Sequence, residues 1–170
     1  GMIIYAVTGH WKQGAFSRVM TRVAKNGLGS SIATTSMVLM AFMMVESGMT
    51  FTLAKGVATV FGMVYPVFAP LVGVLGAFMT GSNTNSNVMF GALQTQIAQI
   101  LGVSSLIMAA AQTAGGSIGS MLAPAKVIVG TSTVGLTGRE GEVIGKTLIY
   151  CVLLALLLGI IAWIMVYVLF

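Results

Sequence analysis

From Gly56 to Ala125 the sequence has no Asp, Glu, Lys or Arg. No chain that folds in water leaves so long a run without charge, because each amphipathic element of a soluble core presents a polar face to solvent. Two further runs, Asn26 to Val45 and Thr147 to Phe170, are also uncharged. A helix that crosses a bilayer needs about 20 mostly apolar residues. Each outer run fits one crossing, and the central run fits two or three passes that turn inside the protein. Composition agrees: 57% of residues are apolar and 6% are charged, against about a quarter charged in ordinary soluble domains. The expectation is an all-α polytopic membrane protein with broken helices and re-entrant hairpins, about 4–6 membrane segments within these residues.

The net charge of +5 does not point to nucleic acid. Lys12, Arg18, Arg22 and Lys25 cluster ahead of the first apolar run, where basic residues read as a cytoplasmic flank. No basic stripe with interleaved aromatics follows. Cys151 is the one cysteine and reads as a small packing residue, since it has no partner for an internal disulfide. No basic region followed by a cleavage site opens the chain. Gly1-Met2 resembles neither a natural start nor a targeting signal, so a fragment of something longer is expected.

Trp11, Ala15, Phe16, Val19, Met20 and Val23 recur at helical spacing, with Arg18, Arg22 and Lys25 on another face. Residues 1–27 are therefore read as an amphipathic cytoplasmic or interfacial segment, ended by Asn26-Gly27, and residues 28–170 as the transmembrane domain. The first crossing is expected over 28–46. Residues 57–80 carry Pro66 and Pro70, which predict a bent helix or a helical hairpin. A helix over 88–101 is punctuated by Gly102, and a short helix over 103–114 ends at Gly115-Gly116. Thr137 to Lys146 reads as a loop before a final crossing over 147–170, with Trp163 and Tyr167 near an interface. A faint repeat pairs Ala69-Pro70 and Gly81-Ser82-Asn83-Thr84 with Ala123-Pro124 and Gly130-Thr131-Ser132-Thr133.

The most informative stretch is Gly81-Ser82-Asn83-Thr84-Asn85-Ser86-Asn87. Unpaired backbone amides in hydrocarbon cost several kcal/mol each, so broken helices persist only inside protein or along a wet cavity. Hydroxyls and carboxamides line this break. A helix that starts near Thr84 would aim its first N–H groups and positive dipole end into it, a seat for a carboxylate. Carbonyls near Thr80 and Gly81 would suit a cation. The other reading is a plain loop outside the membrane. Lys126, the one charge between Gly56 and Gly138, either neutralises an anion or reaches an interface with its head. Glu46 is either a proton carrier at membrane depth or an interfacial charge. His10 reads as a surface residue. Asp is absent, so no Ser-His-Asp arrangement can form, and no cluster has metal-ligand spacing. No enzyme and no cofactor are expected.

The 81–87 stretch, with Val88-Met89-Phe90 and Ala92-Leu93-Gln94 after it, resembles the signature of L-lactate permeases. Ala110-Ala111-Gln112-Thr113-Ala114-Gly115-Gly116, Gly119-Ser120-Met121-Leu122-Ala123-Pro124 and Val134-Gly135-Leu136-Thr137-Gly138-Arg139-Glu140 continue the resemblance. It covers roughly residues 28–170 and implies the C-terminal part of a longer permease. It further implies a prokaryotic plasma-membrane symporter that imports L-lactate, glycolate and related 2-hydroxy monocarboxylates with protons. By position, Ser82, Asn83, Thr84, Ser86 and Asn87 become substrate or ion contacts, and Gly115 and Gly116 become hairpin hinges; Lys126 is a candidate helper on its charge alone. An Asp is expected in the family where this chain has Asn83, which opens sodium, or a proton site placed elsewhere, as the coupling ion. The alternatives are a sodium-coupled carrier of another organic anion and a non-transporting membrane scaffold subunit. The partners expected are the carried acid and the bilayer, without nucleic acid; the oligomeric state stays open.

Overall fold

The computed structural model describes residues 15–169. The expectations for Gly1-Met2, His10, Trp11 and Lys12 lie outside the described residues. All described regular structure is helical: α1 (Ala15–Glu46), α2 (Met49–Phe61), a 3-10 turn (Gly62–Val64), α3 (Tyr65–Thr80), α4 (Asn83–Leu101), α5 (Ser105–Gly119), a 3-10 turn (Ser120–Leu122), α6 (Pro124–Thr133), α7 (Glu140–Ile164) and a π turn (Met165–Leu169). The chain divides into two compact units, Gly1–Ser36 and Met37–Phe170. The described part of the first is helix throughout, and the second holds the polar break and the helices packed around it.

Among the described residues three stretches are long and apolar enough to cross a membrane: Phe16–Glu46, Met49–Thr80 and Glu140–Leu169. A fourth arises if Ser105–Leu122 and Pro124–Thr133, bent by 45° at Ala123, count as one broken span. The count falls at the low end of the expectation because α4 carries three Asn and three Gln in 19 residues, which make it a helix for a protein interior rather than for lipid.

Several expected boundaries moved. The helix runs unbroken through Asn26-Gly27; one interior Gly costs only about 1 kcal/mol, which a 32-residue helix absorbs. The interruption in Met49–Thr80 falls at Gly62, whose φ of 49° needs a residue without Cβ, and not at a proline. Pro66 sits in the first turn of α3, where no N–H donor is required, while Pro70 is accommodated inside it. The 3-10 turn leaves the Met63 carbonyl outside a helix, and the Trp163 indole N–H donates to it at 3.1 Å. Trp163 also packs on Tyr167, ring centres 5.5 Å apart. The last helix starts at Glu140, within the expected loop. The faint repeat is not structural: Pro70 lies inside α3 whereas Pro124 opens α6.

The hub is α3, which packs on α4, α5 and α7. Without a hydrophobic drive between helices in lipid, close van der Waals contact does the joining. A Cβ on Gly73 would overlap the Gln112 carbonyl and Gly116 N, one on Gly115 would overlap the Pro70 backbone, and one on Gly119 would overlap that of Val74. Thus α3 and α5 touch backbone to backbone. One apolar cluster joins Ala54, Ala58, Tyr65, Ala69, Leu93, Ile97 and Met108; a second joins Val74, Leu122, Cys151 and Ala155.

Candidate functional site

The polar stretch becomes a two-residue break followed by a helical turn. At its near side Gly81, with φ 73°, ends α3, and its N–H donates to Ala77 O at 2.8 Å. The Thr80 hydroxyl oxygen lies 2.8 Å from Gly76 O and 3.0 Å from Ser82 O, and it accepts the Ser82 N–H at 3.2 Å. Ser82 is extended and caps α4: its Oγ accepts the Asn85 N–H at 3.3 Å and its carbonyl accepts the Ser86 N–H at 3.0 Å. Only Gly81 and Ser82 are non-helical, whereas a loop of seven residues was one reading of the sequence. Asn83 to Asn87 form the first turn of α4, as the expected helix start near Thr84 required. The N–H groups of Asn83 and Thr84 are among those that the helix ladder leaves without an intrahelical acceptor.

The side chains of this turn divide into two sets. Thr84 is exposed, and Ser82 and Asn83 are half-buried. The Asn83 amide donates to Ser117 Oγ at 2.9 Å, and Ser117 donates onward to Thr113 O at 3.1 Å. The Asn83 Oδ1 therefore faces the other way, against the open Cα of Gly116. There it is buried without a hydrogen-bond partner, as is the Asn87 Oδ1 one turn further on. Two orphaned carbonyl oxygens four residues apart on one helix face are rare in a folded interior. Ser86 is fully buried; its hydroxyl donates to Gly73 O at 2.9 Å and has no donor left for a ligand.

Gly115 and Gly116 lie within α5, and the chain does not turn at either. Their missing side chains instead admit Pro70 and Asn83, and the change of direction comes at Ala123. Lys126 is exposed in the first turn of α6, and its ammonium donates to Ser120 Oγ, not to any residue of the break. Glu46 is exposed at the end of α1.

Behind the break lies a polar chain that the sequence reading did not assemble. The Tyr65 hydroxyl donates to Gln94 Oε1 at 3.0 Å, Gln94 Nε2 donates to Gln112 Oε1 at 3.0 Å, and Gln112 Nε2 donates to Ser86 Oγ at 3.1 Å. Gln94 and Gln112 are 0% and 1% exposed. The available signal was each glutamine's setting among Leu93, Ile97 and Ala98 or Met108 and Ala111, all core residues.

The break thus sets neutral donors beside carbonyl acceptors without partners, in helices that carry no charged side chain. The family profile described as L-lactate permease matches residues 2–169. Glycolate permease GlcA of Escherichia coli K12 is 41% identical over 75% of this chain, L-lactate permease of the same organism 39% identical over 76%, and L-lactate permease of Bacillus subtilis 168 36% identical over 75%. In each case the matched part is 23% of the relative's length, so the chain spans about a quarter of the curated relatives it matches. No solved structure matches it. With a profile match over nearly its whole length, the chain belongs to the L-lactate permease family.

Proposed function

We propose that the protein containing this chain imports L-lactate, glycolate and related 2-hydroxy monocarboxylates across the plasma membrane by alternating access, in symport with protons. It is a carrier and not an enzyme. The observation that carries the reading is the Gly81-Ser82 break, where the first turn of α4 opens toward neutral hydroxyl and amide groups. The substrate carboxylate takes the N–H groups of Asn83 and Thr84, at the positive end of the helix dipole, with the hydroxyls of Ser82 and Thr84. The Asn83 and Asn87 carboxamide oxygens, which lack partners, accept the substrate 2-hydroxyl or face the co-transported cation. Ser86, with its donor committed to Gly73, and Lys126, held by Ser120, are left out of the contact set. Glu46 is exposed and has no part in it.

One observation favours sodium over protons: α3, α4 and α5 carry no Asp, Glu, Lys, Arg or His, while the two orphaned oxygens suit a hard cation. The test is uptake of labelled lactate by the complete gene product in proteoliposomes. Uptake that survives replacement of sodium by choline but collapses with the pH gradient supports proton coupling; the reverse supports sodium. The site assignment predicts loss of uptake when Ser82, Asn83 and Thr84 are together replaced by Ala, and undiminished uptake in that variant would remove it.

A further inference from the structure

Ser86 sits one turn below the Gly81-Ser82 break with no exposed surface. Its N–H is fixed from above by the Ser82 carbonyl at 3.0 Å. Its hydroxyl is fixed from below, donating to Gly73 O at 2.9 Å and accepting from Gln112 Nε2 at 3.1 Å. The same Gln112 amide reaches Ser86 O at 3.4 Å. Between these anchors lie Asn83 and Thr84, whose N–H groups the proposed site uses. The direction of those groups therefore depends on how Gln112 is held. Its Oε1 accepts from Gln94 Nε2 at 3.0 Å; Gln94 also donates to Ala69 O at 3.3 Å and accepts the Tyr65 hydroxyl at 3.0 Å.

The donors run one way, from Tyr65 through Gln94, Gln112 and Ser86 to the Gly73 carbonyl. Turning over either amide alone would set like groups against each other, so each glutamine has one orientation. Packing does not require this. Replacing both members of a buried hydrogen-bonded pair by apolar groups of the same shape can be nearly neutral for stability. Three helices are tied by a directional chain that ends in the first turn of α4, and support of that kind is what holds binding groups in productive geometry.

Resting on the proposed carboxylate site, we propose that Gln112, oriented by Gln94, is the positioning residue of that site: its N–H donor clamps Ser86 and so aims the first turn of α4 at the substrate. Tyr65 is the one titratable side chain in α3, α4 and α5. In α7, which also packs on α5, Cys151 lies in the second apolar cluster, Tyr150 is exposed, Glu140 bonds Thr131, and Glu142 is paired with Arg139 and Lys146. In α2, which packs on α4, Lys55 is exposed, so among the described residues no charged group faces the amide chain.

The experiment measures lactate uptake by the complete gene product in proteoliposomes, normalised to inserted protein. Gln112→Met, which keeps length and removes the donor, is expected to raise the apparent KM about tenfold, the loss of one buried hydrogen bond at the site, and to leave the maximal rate nearly unmoved. Gln112→Glu is the conservative rescue. Protonated, it still donates to Ser86 and accepts from Gln94; ionised, it has no donor. Its KM relative to the parent at the same low pH is expected within twofold of one, because burial favours the neutral acid. Should Gln112→Met not fold, Ser86→Ala cuts the same link from its other end, with the same expected split between KM and rate. An unchanged KM in the donorless variants, or a low-pH Gln112→Glu protein as defective as Gln112→Met, overturns the inference while leaving the transport proposal standing. A parent protein that takes up neither lactate nor glycolate overturns both.

Discussion

In the α3–α4–α5 interior the side chains of Tyr65, Gln94, Gln112 and Ser86 are neutral, buried and matched donor to acceptor across helices; Arg139, Glu142 and Lys146, at the start of α7, are charged, exposed and matched to neighbours in sequence. Gln94 and Gln112 reach partners 18 to 29 residues away. Arg139 Nε donates to Glu142 at 2.9 Å and Lys146 to Glu142 at 3.1 Å, three and four residues apart. The first kind of contact ties three helices that backbone contact already seats, and each of its groups would otherwise be left unsatisfied in a medium without water. The second decorates the start of one helix and is screened by solvent. Polarity in this chain is thus structural where it carries no charge and peripheral where it does.

The sharpest way to break that contrast is a substitution at the backbone contact that seats the amides. Gly115→Leu would drive a side chain into the Pro70 backbone. Since neither helix can yield locally, a penalty of roughly 3 kcal/mol or more is expected, seen as loss of the monodisperse peak on gel filtration in detergent. A variant that elutes like the parent would mean that α3 and α5 are not in backbone contact. Next in size, Gln94→Leu strands the Tyr65 hydroxyl and the Gln112 Oε1; about 2 kcal/mol is expected, read as a lowered Tm in detergent. Ser82→Ala removes the cap of α4 and should cost about 1 kcal/mol, a smaller fall in the same measurement. At the far end of the scale, Glu142→Gln severs both ion pairs of the exposed segment and should leave Tm within error at low and high salt. A fall as large as that of Gln94→Leu would erase the distinction.

Much of this was legible in the residues. The absence of charge from Gly56 to Ala125 announced helices that bury their backbone, and the Ser-Asn-Thr run marked the place where one ends and the next begins. Asn and Ser serve both as loop residues and as caps or first-turn residues, so the same letters did not tell a seven-residue loop from a two-residue break. Gly115 and Gly116 suffered a similar ambiguity. Glycine permits a turn and also permits contact, and the choice depends on what stands opposite, here Pro70 and Asn83. The Tyr65–Gln94–Gln112–Ser86 chain was out of reach for the same reason: its members come from three helices, and no local pattern specifies their meeting. Gly62, with its positive φ, breaks the second span; Pro66 is tolerated in the first turn of α3, and Pro70 is accommodated inside that helix.

The charge-free interior has an electrical corollary. Moving one elementary charge across a membrane potential is worth about 2.3 kcal/mol per 100 mV, and voltage acts on a protein through such charges. Between Gly56 and Ala125 there is no ionised side chain for the field to pull. If the proposed alternating access rocks α3, α4 and α5, it displaces no charged side chain of theirs, so a current carried through them would belong chiefly to the transported acid and its ion.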